Sequence, residues 1–267
     1  MTDSEEPEMM EREEFGSLEC WFMASSALRA PGREGAEQLC KILQDVGGIF
    51  VRTEPGSKSP TWETDPAPAA KIDSKGGLSS VDFSHPLLSR TVLEPTSFRT
   101  LPPTCSLSYR PALRLVTLSQ SGSGEEPENL DALARGQLAL ARKLFPRLRP
   151  KLAFIDEVSD SLDEQKVLVR PLRKSLHFLR FPYIFWANFW SRAYVEKFGP
   201  DLLIAPGWVK RKLPGRNFLY VATKSFSCWW TRPPAKVRNY FLRVMPIVFP
   251  YNTNRLICGA DPYPDYR

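Results

Sequence analysis

Residues 181–208 read FPYIFWANFWSRAYVEKFGPDLLIAPGW and hold three of the chain's seven tryptophans, only two carboxylates, and the turn-forming pairs Gly199-Pro200 and Pro206-Gly207. Their first part, 183–190, is an apolar run interrupted by the amide of Asn188. A helix needs about 20 apolar residues to cross a bilayer. This run is far shorter, so no membrane span is expected and its surface has to be buried in protein. Asn188 must then find partners inside the chain, because a buried amide left unpaired costs about 1 to 3 kcal/mol. The fold is expected to organise around this segment.

Working outward, the 267 residues are 42% hydrophobic, enough for one large core. The 25 prolines are nearly twice the usual share of about 5% and imply long irregular connections. The charge is unevenly spread. Residues 1–131 carry 12 Lys and Arg against 21 Asp and Glu, a net −9, whereas 132–267 carry 24 against 9, a net +15. Either the basic half faces an acidic partner or nucleic acid, or the two halves attract each other within one fold. The five cysteines are widely spaced and form no C-x-x-C pair, and there are only two histidines. Neither a disulfide framework nor a zinc site is expected, and the cysteines read as small buried hydrophobes in a reducing, cytoplasmic setting.

Residues 1–14 are acidic, without a basic start or an apolar stretch, and read as a disordered leader rather than a signal peptide. The remainder, 15–267, reads as a single α+β domain. Strands are expected at 18–23 and 49–52, with a helix between them at 33–46 that Gly47-Gly48 stops. The region 53–111 dissolves into Pro, Ser, Thr and Gly, with short strands expected near 78–83 and 90–93. A strand at 110–119 follows. A helix at 130–145 is expected, capped by Asn129 and stopped by Pro146, then a strand at 151–155. Beyond it come a helix at 192–198 capped by Ser191 and ended by Gly199-Pro200, an apolar strand or loop at 202–205, a basic hairpin-like connection through 210–216, a strand at 218–224, a helix to Val244 capped by Thr231, and a last strand ending at Ile257. The sum is a mixed, mostly antiparallel sheet with three to four packed helices and long Pro-rich connections.

Three constellations invite a chemical reading. The first is the acidic cluster Asp156, Glu157, Asp160, Asp163 and Glu164. As paired catalytic carboxylates or a metal site it would need one buried carboxyl or several converging oxygens. A solvated loop explains it equally, and Asp156 and Glu157 are the pair best placed to be functional. The second is His85 with His177. No G-x-S-x-G or comparable nucleophile context accompanies them, and both read as structural or surface residues. The third is the interleaving of Trp208, Lys210, Arg211, Lys212, Arg216, Trp229, Trp230, Arg232, Lys236 and Arg238, which suits a polyanion or an acidic protein. No nucleic-acid module signature accompanies it. No cofactor or metal is expected.

The segments 139–157 (ALARKLFPRLRPKLAFIDE), 185–208 (FWANFWSRAYVEKFGPDLLIAPGW) and 218–223 (FLYVAT) together resemble, in order and in their aromatic-Asn-aromatic core, bacterial immunity-type proteins encoded beside secreted polymorphic toxins. The resemblance covers about a third of the chain. It implies a non-enzymatic cytoplasmic protein that covers the active site of a cognate toxin, and a basic docking surface implies an acidic toxin surface. The residues expected to meet that partner are Trp208, Lys210, Arg211, Lys212 and Arg216, with Trp229 and Trp230 beside them. A nucleic-acid binder and a metal-dependent enzyme using the cluster after Ile155 are the competing readings.

Overall fold

The computed structural model describes residues 17–28, 32–52, 61–63, 70–72, 79–89, 105–110, 114–120, 127–158, 176–177, 179, 184–231 and 234–244. The acidic leader, the strands expected at 90–93 and near Ile257, and the residues Asp160, Asp163 and Glu164 lie outside them. The fold is α+β.

Among the described residues eleven strands form one sheet: β1 (Ser17–Met23), β2 (Ile49–Arg52), β3 (Thr61–Glu63), β4 (Ala70–Ile72), β5 (Ser79–Ser84), β6 (Cys105–Arg110), β7 (Leu115–Gln120), β8 (Leu152–Val158), β9 (Ala187–Trp190), β10 (Val209–Leu213) and β11 (Asn217–Val221). Their order is β10-β11-β9-β8-β1-β7-β6-β5-β2-β3, with β4 also on β5. Every described pairing is antiparallel, which sharpens the mixed sheet expected from sequence. The helices among the described residues include α1 (Gly32–Val46), α2 (Pro86–Ser89), α3 (Pro127–Leu148), α4 (Arg192–Ile204), α5 (Phe226–Thr231) and α6 (Ala235–Val244). Four of the six have ten or more residues.

Residues directly opposite in an antiparallel ladder share a face, so the register sorts the core. Leu18, Cys20 and Phe22 of β1 lie with Leu118 and Val116 of β7 and with Ile155 and Ala153 of β8. The same face continues to Phe189, on which Phe145 of α3 stacks at 5.3 Å. Trp21, Phe154, Asn188, Trp190 and Tyr220 line the other face. There Phe241 of α6 packs edge-on against Tyr220 and beside Trp190. Residues 184–190 are all buried, as their apolar run requires.

Several boundaries differ from the sequence reading. Two helices run through their prolines, α3 through Pro146 and α4 through Pro200. In both cases the proline and the residue four before it, Arg142 or Glu196, lie on the exposed side of the helix, away from the core packing. Residues 202–204 are consequently the last turn of α4 and not a strand or loop. The α4 N-terminus is capped from a distance: Ser191 makes no side-chain cap, and the Arg192 N–H donates instead to Asn217 Oδ1 at 3.0 Å. Asn129 lies inside the first turn of α3, which opens at Pro127. The single strand expected at 110–119 is divided between two: Arg110 ends β6, and β7 begins at Leu115 after Arg114, which takes a left-handed φ of 49°. Thr231 ends α5 rather than capping a longer helix, and Ser225 Oγ accepts from Cys228 N–H at the start of α5. At the end of α1 the expectation holds: Gly47 is left-handed and Gly48 N–H donates to Leu43 O.

Candidate functional site

The side chains with the strongest chemical potential are turned inward. Asp156 stands on β8, fully buried. Its Oδ2 accepts the Trp186 N–H at 2.9 Å and the Trp229 Nε1–H at 3.1 Å, and its Oδ1 accepts the Glu157 N–H at 3.0 Å. Burial pushes its carboxyl well above the usual carboxylate range, against the opposing pull of those three donors. One carboxyl thus fastens β8 to the entry of β9 and to α5. Asp156 and Glu157 are buried strand residues and not part of a solvated loop, because β8 continues past Ile155. Among the described residues no group of three His, Cys, Asp or Glu is gathered as metal ligands would be.

His85 is also structural. Its Nε2 lies 2.8 Å from the Val46 carbonyl and its Nδ1 accepts the Leu87 N–H at 3.0 Å, which selects the neutral tautomer with the proton on Nε2. Burial, aided by Lys143, holds its pKa below the ordinary value against the Val46 hydrogen bond. His177 is exposed. Asn188 closes on its own segment: Oδ1 accepts the Phe185 N–H at 3.2 Å and Nδ2 donates to the Phe185 carbonyl at 2.7 Å. The Cys20, Cys40 and Cys105 thiols are buried, Cys105 with its pKa pushed up to about 12, while Cys228 is exposed.

The surface set occupies the far end of the sheet. β10, Val-Lys-Arg-Lys-Leu, is the terminal strand, with Lys210, Arg211 and Lys212 all exposed. Arg216 is exposed on the turn Pro214–Arg216 that joins β10 to β11, where Gly215 and Arg216 are both left-handed. Asn217 holds that turn, donating from Nδ2 to Pro214 O at 2.7 Å while its Oδ1 serves α4. No described carboxylate forms an ion pair with Lys210, Arg211, Lys212 or Arg216.

Trp208 precedes β10 and is 46% exposed. Two further large apolar side chains are open beside it at the end of α4, Leu203 at 48% and Ile204 at 70%. The link between them is built on close packing. Tyr220 OH donates to Pro206 O at 2.5 Å, and a Cβ on Gly207 would stand 2.6 Å from the Tyr220 ring. Between the end of α4, β10 and α6 lies an open cleft of about 710 Å³ lined by Ile204, Pro206, Lys210, Lys236, Tyr240 and Arg243 among others, none of them acidic.

The structure therefore strings Trp208, Lys210, Arg211, Lys212 and Arg216 along one hairpin at the end of the sheet, with Arg211 on the opposite face from Lys210 and Lys212, and adds Lys236 beside Lys210. Trp229 is separated from this set: it is buried with its indole N–H on Asp156, so it presents no anchor to a partner. Trp230 lies in α5, and its side chain is outside the described residues, as are those of Arg232 and Arg238. Leu203, Ile204 and Arg243 were not legible as surface residues. Ending α4 at Gly199-Pro200 hid the first two, since only a helix continued through Pro200 places them at its exposed end.

No protein-family model matches the chain, and no curated protein matches it. Among solved structures it is similar to the Pseudomonas aeruginosa T6SS protein PA0821, at 12% identity over 76% of this chain and 68% of that one, with a TM-score of 0.40. No described helix is long and apolar enough to cross a membrane.

Proposed function

We propose that the chain is a non-enzymatic binding protein of the immunity type, which works in the cytoplasm and neutralises an acidic partner, a cognate toxin, by docking over it. The observation that carries this reading is the coincidence of two features at one end of the sheet. The large hydrophobic side chains exposed among the described residues, Leu203, Ile204 and Trp208, meet there with a strip of cations that no described carboxylate neutralises. Exposed apolar anchors beside unneutralised charge are what a protein interface needs: charge raises the encounter rate, and a desolvated Trp supplies the lasting contact. The carboxylate best placed for catalysis, Asp156, has both oxygens engaged by protein donors. The order of segments that resembles immunity-type proteins points the same way.

The test is to express the product of the neighbouring reading frame with this chain. A stable complex, loss of toxicity, and an association rate that falls with salt are the expected results. A toxin-like neighbour that the chain neither binds nor neutralises overturns the proposal. So does tight, steeply salt-dependent binding of unrelated DNA or RNA, which marks a nucleic-acid binder.

A further inference from the structure

Resting on that docking face, we infer how it is occupied: an extended acidic segment of the partner adds as a strand along the outer edge of β10 and sends a carboxylate into the cleft between α4 and α6. Three observations converge. First, β10 ends the sheet. Its inner edge is paired with β11 from Val209↔Val221 to Leu213↔Asn217, and no described strand takes its outer edge. A strand edge offers a row of backbone donors and acceptors that another extended chain satisfies.

Second, the side chains select the sign of that chain. Lys210 and Lys212 stand opposite Tyr220 and Phe218, on the face that carries α6, while Arg211 stands opposite Leu219 on the other face. An added strand with alternating side chains meets a cation on whichever face its acids point to. The same three charges repel a second copy of β10, so self-pairing is disfavoured and an acidic strand is not.

Third, protecting an edge requires charge on the edge alone, yet here Lys236 and Arg243 come from α6 to line a cleft with Lys210. Three cations converging on a cavity with no acid in its lining form a receptor for an anion. Ile204 and Pro206 supply an apolar wall for the stem of a Glu or Asp side chain. Trp208, exposed at the start of the strand, caps one end of the track.

The experiment uses the full chain and a short synthetic peptide alternating Glu and Thr. Its control is the same peptide N-methylated at every backbone nitrogen, which keeps the charges and removes all ladder donors. Calorimetry is expected to show saturable binding of the first peptide, weakened on the order of tenfold or more by methylation because several ladder bonds are lost. Amide hydrogen exchange in Val209–Leu213 is expected to slow only with the unmethylated peptide. The double variant K236E/R243E is expected to lose a comparable factor at an unchanged melting temperature. Absence of binding by the acidic peptide, equal binding of both peptides, or tighter binding of a thymidine oligonucleotide overturns strand addition. If the peptides bind alike while charge reversal in β10 still abolishes capture of the cognate toxin, strand addition falls and the docking face stands. If charge reversal leaves toxin capture intact, the docking face itself falls.

Discussion

Residues 184–190 and residues 203–212 are separated by only a dozen positions, and both combine aromatic or aliphatic side chains with polar ones, yet they have opposite fates. In the first, the polar groups turn to the chain itself: Asn188 closes on Phe185, the Trp186 N–H goes to Asp156, and Ala222 N–H returns to Trp186 O. In the second, Leu203, Ile204 and Trp208 stay exposed and the cations of β10 have no described carboxylate partner. The contrast separates what holds the fold from what is left for something else to satisfy. It also makes the two regions separately breakable, so variants in the first should cost stability and variants in the second should cost binding.

The largest effect on the interior side is expected for Asp156→Ala. It strands the Trp186 N–H and the Trp229 Nε1–H in a buried site, at about 1 to 3 kcal/mol for each donor left unpaired. Denaturant titration should show a fall of that combined size, with partner affinity per folded molecule unchanged. Asn188→Ala comes next, at about 1 to 3 kcal/mol, because the Phe185 N–H and carbonyl both lose their partner. A stable Asn188→Ala protein that had lost binding would place the amide in the docking region instead. Gly207→Ala sits on the boundary between the two regions. Its Cβ collides with a Tyr220 ring already pinned by Trp190 and Phe241, so it should destabilise by about 1 to 3 kcal/mol and also misplace Trp208.

Smaller and opposite effects should appear with pH. His85 has a lowered folded pKa, so the stability it lends is whole above about 6.5 and is lost as pH falls through that lowered value. Asp156 has a raised folded pKa, so its contribution is whole below about 3.9 and is lost as pH rises through the raised value. Urea midpoints measured across pH should therefore lose their acid-side decline in His85→Gln and their opposite slope in Asp156→Asn. Docking at β10, proposed to rest on exposed charge, should weaken as salt rises.

The interior was largely legible in the sequence, because burial leaves a pattern. The apolar run at 183–190, the helical spacing of Leu39, Leu43 and Val46, and the lone Asn188 each have one physical resolution. What escaped was long-range satisfaction. Nothing near Arg192 announces that Asn217 caps its helix, and nothing near Ile155 announces that Asp156 receives an indole from α5. Trp229 and Trp208 sit in similar basic surroundings, and only the tertiary structure distinguishes the ring held by Asp156 from the ring left open. Prolines misled for a related reason: an interior proline loses one backbone hydrogen bond and crowds the carbonyl four residues back, a cost more easily borne on an exposed helix side, and exposure is not written in the local sequence.

The proposal that the charged side chains of β10 serve a partner rather than the fold is tested most directly by the triple charge reversal K210E/R211E/K212E. Because these side chains are exposed and have no described carboxylate partner, the melting temperature should stay essentially that of the unaltered chain. Association with the proposed acidic partner should become slower and less sensitive to salt. A large drop in melting temperature with normal binding would contradict the account, and would mean that this strip exists to hold the acidic half of the chain.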